Sequence, residues 1–191
     1  NRTGGIITAE DLKNYEAIER EPIEFEYKGY RIYTMPPPSS GGIALAGILN
    51  QLENIDLSSI PYHSSDYIHY LVEAEKRVYS DRAFFLGDSD FHDIPIDVLI
   101  SDDYSNKRWE SVDSIKATSS SELQHGDMLN YNSNESEETT HYSIVDKWGN
   151  AVSVTTTING WFGNGIVVDD SGFLLNNEMD DFSSKPGHPN K

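Results

Sequence analysis

The most regular hydrophobic pattern runs from Ser64 to about Leu86, where apolar residues recur with helical spacing. The apolar positions are Ile68, Leu71, Val72, Ala74, Val78 and Phe84. Because an α-helix turns once in about 3.6 residues, this spacing places them on one face of a helix. We expect the charged residues of this stretch to occupy its exposed or polar-facing side; they are Glu73, Glu75, Lys76 and Arg77.

Three further helices are predicted along the chain. Thr8 is suited to cap the start of a short helix, with Asp11 at the third helical position. A mostly apolar helix is predicted over residues 43–53, and a short helix over residues 96–109.

Alternating and β-branched runs predict two hairpins. The first covers residues 23–33 and turns at Gly29. The second pairs residues 140–146 with residues 151–158 through a turn at 147–150. That turn contains glycine and asparagine, which tolerate the positive φ angles of a tight hairpin.

The composition argues against several classes of function. The 191 residues include 14 basic and 32 acidic side chains, so the net charge is −18 and phosphate backbones are poor ligands. There is no cysteine, which excludes disulfides and thiolate chemistry. No apolar run reaches the roughly 18 residues of a membrane span. A small molecule or a peptide is therefore the expected ligand, and no nucleic acid is expected.

An abrupt change from polar to apolar residues marks the first candidate for chemistry. Residues 111–138 are rich in Ser, Asn, Asp and Glu and predict a mobile linker, after which Thr139 and Thr140 open a strand. Threonine is common at strand starts, which is one explanation. The other is that cleavage exposes Thr139 as a nucleophile. Its freed α-amino group, with a pKa of about 7.7–8.0, would accept the proton of its own hydroxyl.

Polar side chains also gather where the later strands end, at Asn159, Asn176, Asn177, Glu178, Asp180 and Asp181. They could bind a substrate ammonium group, or they could form Asx turns and a solvated acidic patch. Asp169-Asp170 and Asp180-Asp181 offer hard oxygens to a metal, but without the spacing of a calcium loop.

His141 lies two residues after Thr139 and therefore shares its strand face. It either polarises a neighbouring group or is a hydrogen-bonded structural residue.

These stretches resemble a known family. Residues 139–146, 149–152 and 174–182 closely resemble the γ-glutamyltransferase (γ-glutamyltranspeptidase) family of N-terminal-nucleophile hydrolases. Upstream, the agreement continues at residues 4–8, 11–12, 35–42, 79–82 and 86–88. The similar stretches follow in the right order over nearly the whole chain.

The resemblance implies an α+β fold, the αββα sandwich of this class, only partly present in this chain. It also implies a precursor that cuts itself between Glu138 and Thr139. Residues 1–138 would be the C-terminal part of the large subunit, ending in the linker at about 111–138. Residues 139–191 would be the N-terminal part of the small subunit, and the two subunits are expected to associate after cleavage.

The implied activity is transfer or hydrolysis of γ-glutamyl groups from glutathione and γ-glutamyl amides, without cofactor or metal. Thr139 would form an acyl-enzyme that water, an amino acid or a dipeptide resolves. Thr157 would orient Thr139, while Asn159, Glu178 and Asp181 would hold the substrate α-amino group. Some family members carry glutamine at the position of Glu178.

The chain also departs from the family pattern. The family's arginine for the substrate carboxylate lies upstream of Asn1, and its paired serines and oxyanion-hole glycines lie downstream of Lys191. We therefore expect a central fragment with little activity of its own. Family members are commonly periplasmic or extracellular, and the resemblance implies the same location here.

The alternatives to γ-glutamyl transfer or hydrolysis are a poly-γ-glutamate depolymerase, another amide acylase of the family, or a non-catalytic binding module that kept the fold.

Overall fold

The computed structural model describes residues 4–127 and 140–182, except for the side chain of Asp181. The predicted cleavage site, Glu138 and Thr139, lies outside these residues. The helices are α1 (Ala9–Asn14), α2 (Gly41–Leu52), α3 (Ser65–Phe85), α4 (Ile96–Leu99) and α5 (Asp102–Trp109). The strands are β1 (Ile23–Tyr27), β2 (Tyr30–Thr34), β3 (Thr140–Val145) and β4 (Ala151–Thr156). Two 3₁₀ helices cover Leu57–Ser59 and Glu178–Asp181.

The start of α1 is a capping box, as the sequence predicts. The amide of Asp11 donates to Thr8 Oγ1 at 3.2 Å, and the Asp11 carboxylate accepts the amide of Thr8 at 2.7 Å. Each side chain thus satisfies a main-chain amide that a helix start leaves without an intrahelical partner.

The first hairpin is confirmed in both pairing and turn. Strand β1 runs antiparallel to β2, with Ile23 opposite Thr34 and Tyr27 opposite Tyr30. Lys28 and Gly29 form the turn with φ angles of 51° and 79°, as a two-residue hairpin with right-handed twist requires. One face of the hairpin can therefore pack against the helices.

The hydrophobic core lies where β1 meets α2, α3 and α4. The core residues are Ile23, Phe25, Ile43, Ala46, Phe84, Phe85 and Leu99. Helices α2 and α3 confirm the helices predicted over residues 43–53 and 64–86, because each has enough apolar side chains to fill one face.

The helix predicted over residues 96–109 is divided into α4 and α5. Ser101 lies between them with extended backbone, and its hydroxyl accepts the amide of Tyr104 at 3.3 Å. A serine in this position competes with helix continuation by capping the next helix. The hydrophobic pattern of the sequence does not show this local competition.

The charged residues of α3 do not all face solvent, because Glu73 and Arg77 lie on a polar-facing side that the fold buries. Their side chains are 1% and 0% exposed and form an ion pair of 2.7 Å between Glu73 Oε2 and Arg77 Nη1. Thr118 donates to the Glu73 carboxylate through its amide, at 2.9 Å, and through its hydroxyl. Burial acts to raise the pKa of Glu73, but hydrogen bonds from Thr118, Arg77 and Lys76 outweigh it and lower the pKa to about 2.

The polar segment that follows α5 is attached to α3. Arg77 Nη2 donates to the main-chain carbonyl of Ser111 at 2.8 Å, and Asp81 Oδ1 accepts the amide of Gly126 at 2.8 Å. Burial raises the pKa of Asp81, and Arg108, with Nε 3.0 Å from Asp81 Oδ2, opposes this. Residues 111–127 contain no helix or strand, and their composition does not reveal these buried attachments.

The architecture is α+β, with helices and two separate antiparallel hairpins in the described part of the chain. Strands β3 and β4 pair only with each other there. Across residues 4–127 and 140–182, no helix is both long and apolar enough to cross a membrane.

Replacing Arg77 by alanine should destabilise the protein by about 3–5 kcal/mol, because the Glu73 carboxylate would remain buried without its ion-pair partner. Arg31→Ala is the control, since Arg31 is 70% exposed and pairs with Glu24 at the surface. Arg31→Ala should lower the free energy of unfolding by at most about 1 kcal/mol. Urea unfolding followed by circular dichroism measures both losses, and equal losses would show that the buried pair has no special role.

Candidate active site

The second hairpin provides the frame of the candidate site. Residues 140–145 pair with residues 151–156, so Thr140 lies opposite Thr156 at the open end. At the closed end, the Asp146 carboxylate accepts the amides of Trp148 and Asn150 at 2.8 and 2.9 Å. The turn is therefore held by its own side chain, and the open end is where β3 begins and the chain leaves β4.

The chain leaving β4 turns sharply at Thr157 and Asn159. The amide of Asn159 donates to Thr157 Oγ1 at 2.9 Å, and Asn159 has a φ of 62°. Asparagine is among the few residues that adopt this left-handed conformation readily. The turn places the Thr157 hydroxyl and the Asn159 side chain in one short loop.

A second loop approaches the first from the C-terminal side. The 3₁₀ helix Glu178–Asp181 follows Asn177, whose main-chain carbonyl accepts the Asn159 Nδ2 group at 3.2 Å. The Asn177 side chain also accepts the amide of Gly160 through Oδ1, at 2.8 Å. Glu178 is partly buried, and its amide donates to Asn176 Oδ1 at 3.0 Å.

The two loops are brought together by the chain between them. Residues 166–168 run antiparallel to residues 173–175, with Val167 bridged to Leu174. Gly163, with a φ of 53°, lies so close to this pair that an added Cβ would be 2.0 Å from the Leu175 carbonyl oxygen. Only glycine allows this approach, because any side chain would push the two segments apart.

An open cleft of about 500 Å³ lies at the end of the hairpin. It is lined by Thr140 and by residues 156–161. Trp161, one of these lining residues, is 82% exposed. The cleft therefore lies beside the residue that follows Thr139 in the sequence, and beside Thr157 and Asn159.

Of the site residues predicted from the sequence, the structure places Thr157 and Asn159 in one loop along the cleft, and Glu178 directly after Asn177, which contacts that loop. Asp181 closes the 3₁₀ helix, and Thr139 falls outside the described residues. The sequence places Asn177 among the strand-end polar residues but indicates no separate function for it. Only its position next to Glu178 points to a role in the site. Its contacts with residues 17 or 18 positions away cannot be inferred from a local sequence pattern.

The imidazole of His141 is within hydrogen-bonding distance of hydroxyl groups on the neighbouring strand. Its Nδ1 atom is 2.8 Å from Thr155 Oγ1, and its Nε2 atom is 3.1 Å from Ser153 Oγ. Both partners lie on β4, so the ring crosses the hairpin. The explanation of His141 as a hydrogen-bonded residue fits these contacts. In the described ranges, no group of three or more His, Asp or Glu side chains is arranged to hold a metal ion.

Comparisons with known proteins identify the family. The family model described as Gamma-glutamyltranspeptidase matches residues 1–191. The chain is 51% identical over 189 residues to the glutathione hydrolase proenzyme of Escherichia coli (strain K12), covering 99% of this chain and 32% of that protein. The chain thus spans about a third of the length of this relative.

Solved structures show the same relationship. The crystal structure of Helicobacter pylori gamma-glutamyltranspeptidase matches 69% of this chain and 38% of its own, with a TM-score of 0.64 and 43% identity. The cephalosporin acylase from Bacillus halodurans matches 99% of this chain and 32% of its own, with a TM-score of 0.76 and 25% identity. The fold therefore defines a class that includes transpeptidases and acylases. Within it, the chain belongs to the gamma-glutamyltranspeptidase family.

Proposed function

We propose that the complete protein transfers or hydrolyses γ-glutamyl groups through an acyl-enzyme on Thr139. The observation that carries this is that the Thr157–Asn159 loop lines a cleft beside the start of β3 and is hydrogen-bonded to Asn177, the residue before Glu178. The proposal is also supported by family membership, because a relative of this chain has the name glutathione hydrolase proenzyme. No cofactor or metal takes part in the proposed reaction.

The first step of the proposal is self-cleavage. The Thr139 hydroxyl attacks the carbonyl carbon of Glu138, the C–N bond breaks, and the nitrogen takes up the hydroxyl proton to become the new α-amino group. The resulting ester is hydrolysed by water, which leaves a Glu138 carboxylate and a free Thr139 hydroxyl. Residues 1–138 then belong to a large subunit and residues 139–191 to a small subunit. The two subunits associate in the mature αββα sandwich.

In turnover, the freed α-amino group accepts the hydroxyl proton while the Thr139 oxygen attacks the γ-carbonyl of the donor. The donor amine leaves with that proton, and an ester between the γ-glutamyl group and Thr139 remains. Water, or the amine of an amino acid or dipeptide, attacks this ester and restores the hydroxyl. Thr157 orients the nucleophile in this scheme.

Asn159, Glu178 and Asp181 are proposed to hold the substrate α-amino group. An ammonium group needs hydrogen-bond acceptors, and a carboxylate provides charge-assisted ones. The arrangement supports this because Asn159 presents its Nδ2 group to Asn177, which leaves Oδ1 as the remaining acceptor of the amide. A periplasmic or extracellular location is also part of the proposal, and it rests on family resemblance.

Acylase activity, the cleavage of another kind of amide, is the second candidate. It is favoured by the cephalosporin acylase structure, which matches 99% of this chain with a TM-score of 0.76. The two candidates differ in the donor, because only a γ-glutamyl donor carries an ammonium group for the strand-end residues to bind.

The deciding experiment assays the full-length protein with γ-glutamyl-p-nitroanilide and glutaryl-p-nitroanilide, which lacks only the amine. The proposal expects higher kcat/KM for the γ-glutamyl donor, measured by release of p-nitroaniline. A preference for the glutaryl donor would favour the acylase candidate. Release from neither donor would reject the γ-glutamyl activity.

Thr139→Ala in the full-length precursor should remain one chain, because the hydroxyl that attacks Glu138 is gone. Intact-mass measurement of the unsubstituted protein should show two pieces that meet between Glu138 and Thr139. A Thr139→Ala protein that still divides at this bond would contradict self-cleavage by Thr139.

Asp181→Ala should lower kcat/KM for the γ-glutamyl donor by about one to two decades, since a charged hydrogen-bond partner is worth about 1.5–3 kcal/mol. The glutaryl donor should lose much less, because it has no amine to bind. Glu178→Gln is the matched variant: it keeps an acceptor, and its loss should be smaller than that of Asp181→Ala. Equal losses of Asp181→Ala with both donors would mean that Asp181 supports the fold.

A further inference from the structure

Asn177 connects the two loops of the candidate site through both its side chain and its main chain. Its Oδ1 atom accepts the amide of Gly160 at 2.8 Å, and its Nδ2 group donates to Asp180 Oδ2 at 2.8 Å. Its amide donates to the carbonyl of Ile158 at 3.2 Å. One residue therefore binds the loop after β4 on one side and the 3₁₀ helix Glu178–Asp181 on the other.

The main-chain carbonyl of Asn177 has two donors at once. It accepts the amide of Asp180 at 3.0 Å and the Nδ2 group of Asn159 at 3.2 Å. A carbonyl oxygen has two lone pairs, so both hydrogen bonds can form together. The same atom thus accepts the first hydrogen bond of the 3₁₀ helix and orients the amide of Asn159.

The orientation of this amide decides what Asn159 can bind. An asparagine amide has a donor end and an acceptor end, and an ammonium group is attracted only by the acceptor end. Because a carbonyl oxygen accepts and cannot donate, it selects the Nδ2 end of Asn159. The Oδ1 end is then turned away from Asn177 and remains for an incoming donor.

We propose that Asn177 is a positioning residue for the reaction: it holds Asn159 and the Glu178 loop at the spacing and orientation that receive the substrate ammonium group. This inference rests on the proposed γ-glutamyl function. Asn177 itself contacts no reacting atom in this scheme. Its side chain keeps its own carbonyl in place through Gly160 and Asp180, and the carbonyl keeps Asn159 oriented.

Asn177 differs from the nearby residues that only form local turns. Asn164 Oδ1 accepts the amide of Ile166, two residues on, at 3.0 Å. Asn176 Oδ1 likewise accepts the amide of Glu178. The contacts of Asn177 with Gly160 and Asn159 span 17 and 18 residues. A residue that only shaped its own turn would not need these partners.

The test uses the full-length protein and the two p-nitroanilide donors. Asn177→Ala should lower kcat/KM about 10- to 100-fold for the γ-glutamyl donor, and less than about 3-fold for the glutaryl donor, because only the former needs an oriented Asn159. The control Asn164→Ala removes a local turn bond of the same chemistry and should leave both donors within about 2-fold. Equal losses of Asn177→Ala with both donors would overturn the positioning role.

A double-mutant cycle with Asn159→Ala tests whether Asn177 acts through Asn159. If it does, the double variant should lose little more activity than Asn159→Ala alone, since there is no amide left to orient. Losses that multiply independently would overturn the mechanism.

Asn177→Asp covers the case in which the alanine variant is not processed. It keeps an acceptor for the amide of Gly160 but puts a carboxylate against Asp180, and it should show the same donor-dependent loss. Equal losses with both donors in this variant count against the role. Turnover of the γ-glutamyl donor by the unsubstituted protein is measured first. Its absence would reject the proposed function itself, whereas turnover combined with equal losses in the variants rejects only the role of Asn177.

Discussion

The enclosed guanidinium of Arg77 imposes the strictest requirement on the helical part of this protein. A guanidinium has five N–H donors and cannot lose its charge, so each buried nitrogen needs an acceptor. Glu73 provides a carboxylate and a carbonyl, and the carbonyls of Arg108 and Ser111 provide two more. Because the carbonyls of Arg108 and Ser111 lie at the end of α5 and just beyond it, the polar segment must follow α3 closely. The chain is therefore held by matched hydrogen bonds where its composition offers few apolar side chains.

The candidate site depends on the same kind of interaction with much less burial. Strand β3 is exposed along its whole length, and β4 is only partly buried at Val154. Packing within the described residues therefore does little to position the loops at the end of this hairpin. Hydrogen bonds between Asn159, Gly160 and Asn177 do so instead. Such bonds are directional, so they control orientation as well as distance, which a site for an ammonium group requires.

Much of the candidate site could be predicted from the sequence, but only as a set of residues. Thr157, Asn159 and Glu178 were identified through family resemblance, and the structure shows that their loops meet. The chemistry of each side chain was evident, whereas its orientation was not. In particular, the acceptor end of Asn159 is defined by a carbonyl 18 residues away. The family comparison transfers residue types along an alignment, but hydrogen-bond directions depend on the surrounding atoms.

The sequence by itself determined the local elements: the capping box at Thr8, the Lys28-Gly29 turn, and the extent of α3. These features depend on neighbours within a few residues, where propensity and periodicity act directly. Only the tertiary structure decided that Arg77 is buried and that Asn177 joins two loops. Both results depend on partners far along the chain, Ser111 in one case and Asn159 in the other. A charged or amide side chain has the same local pattern whether it faces water or a distant acceptor, and only the folded chain brings that acceptor within hydrogen-bonding distance.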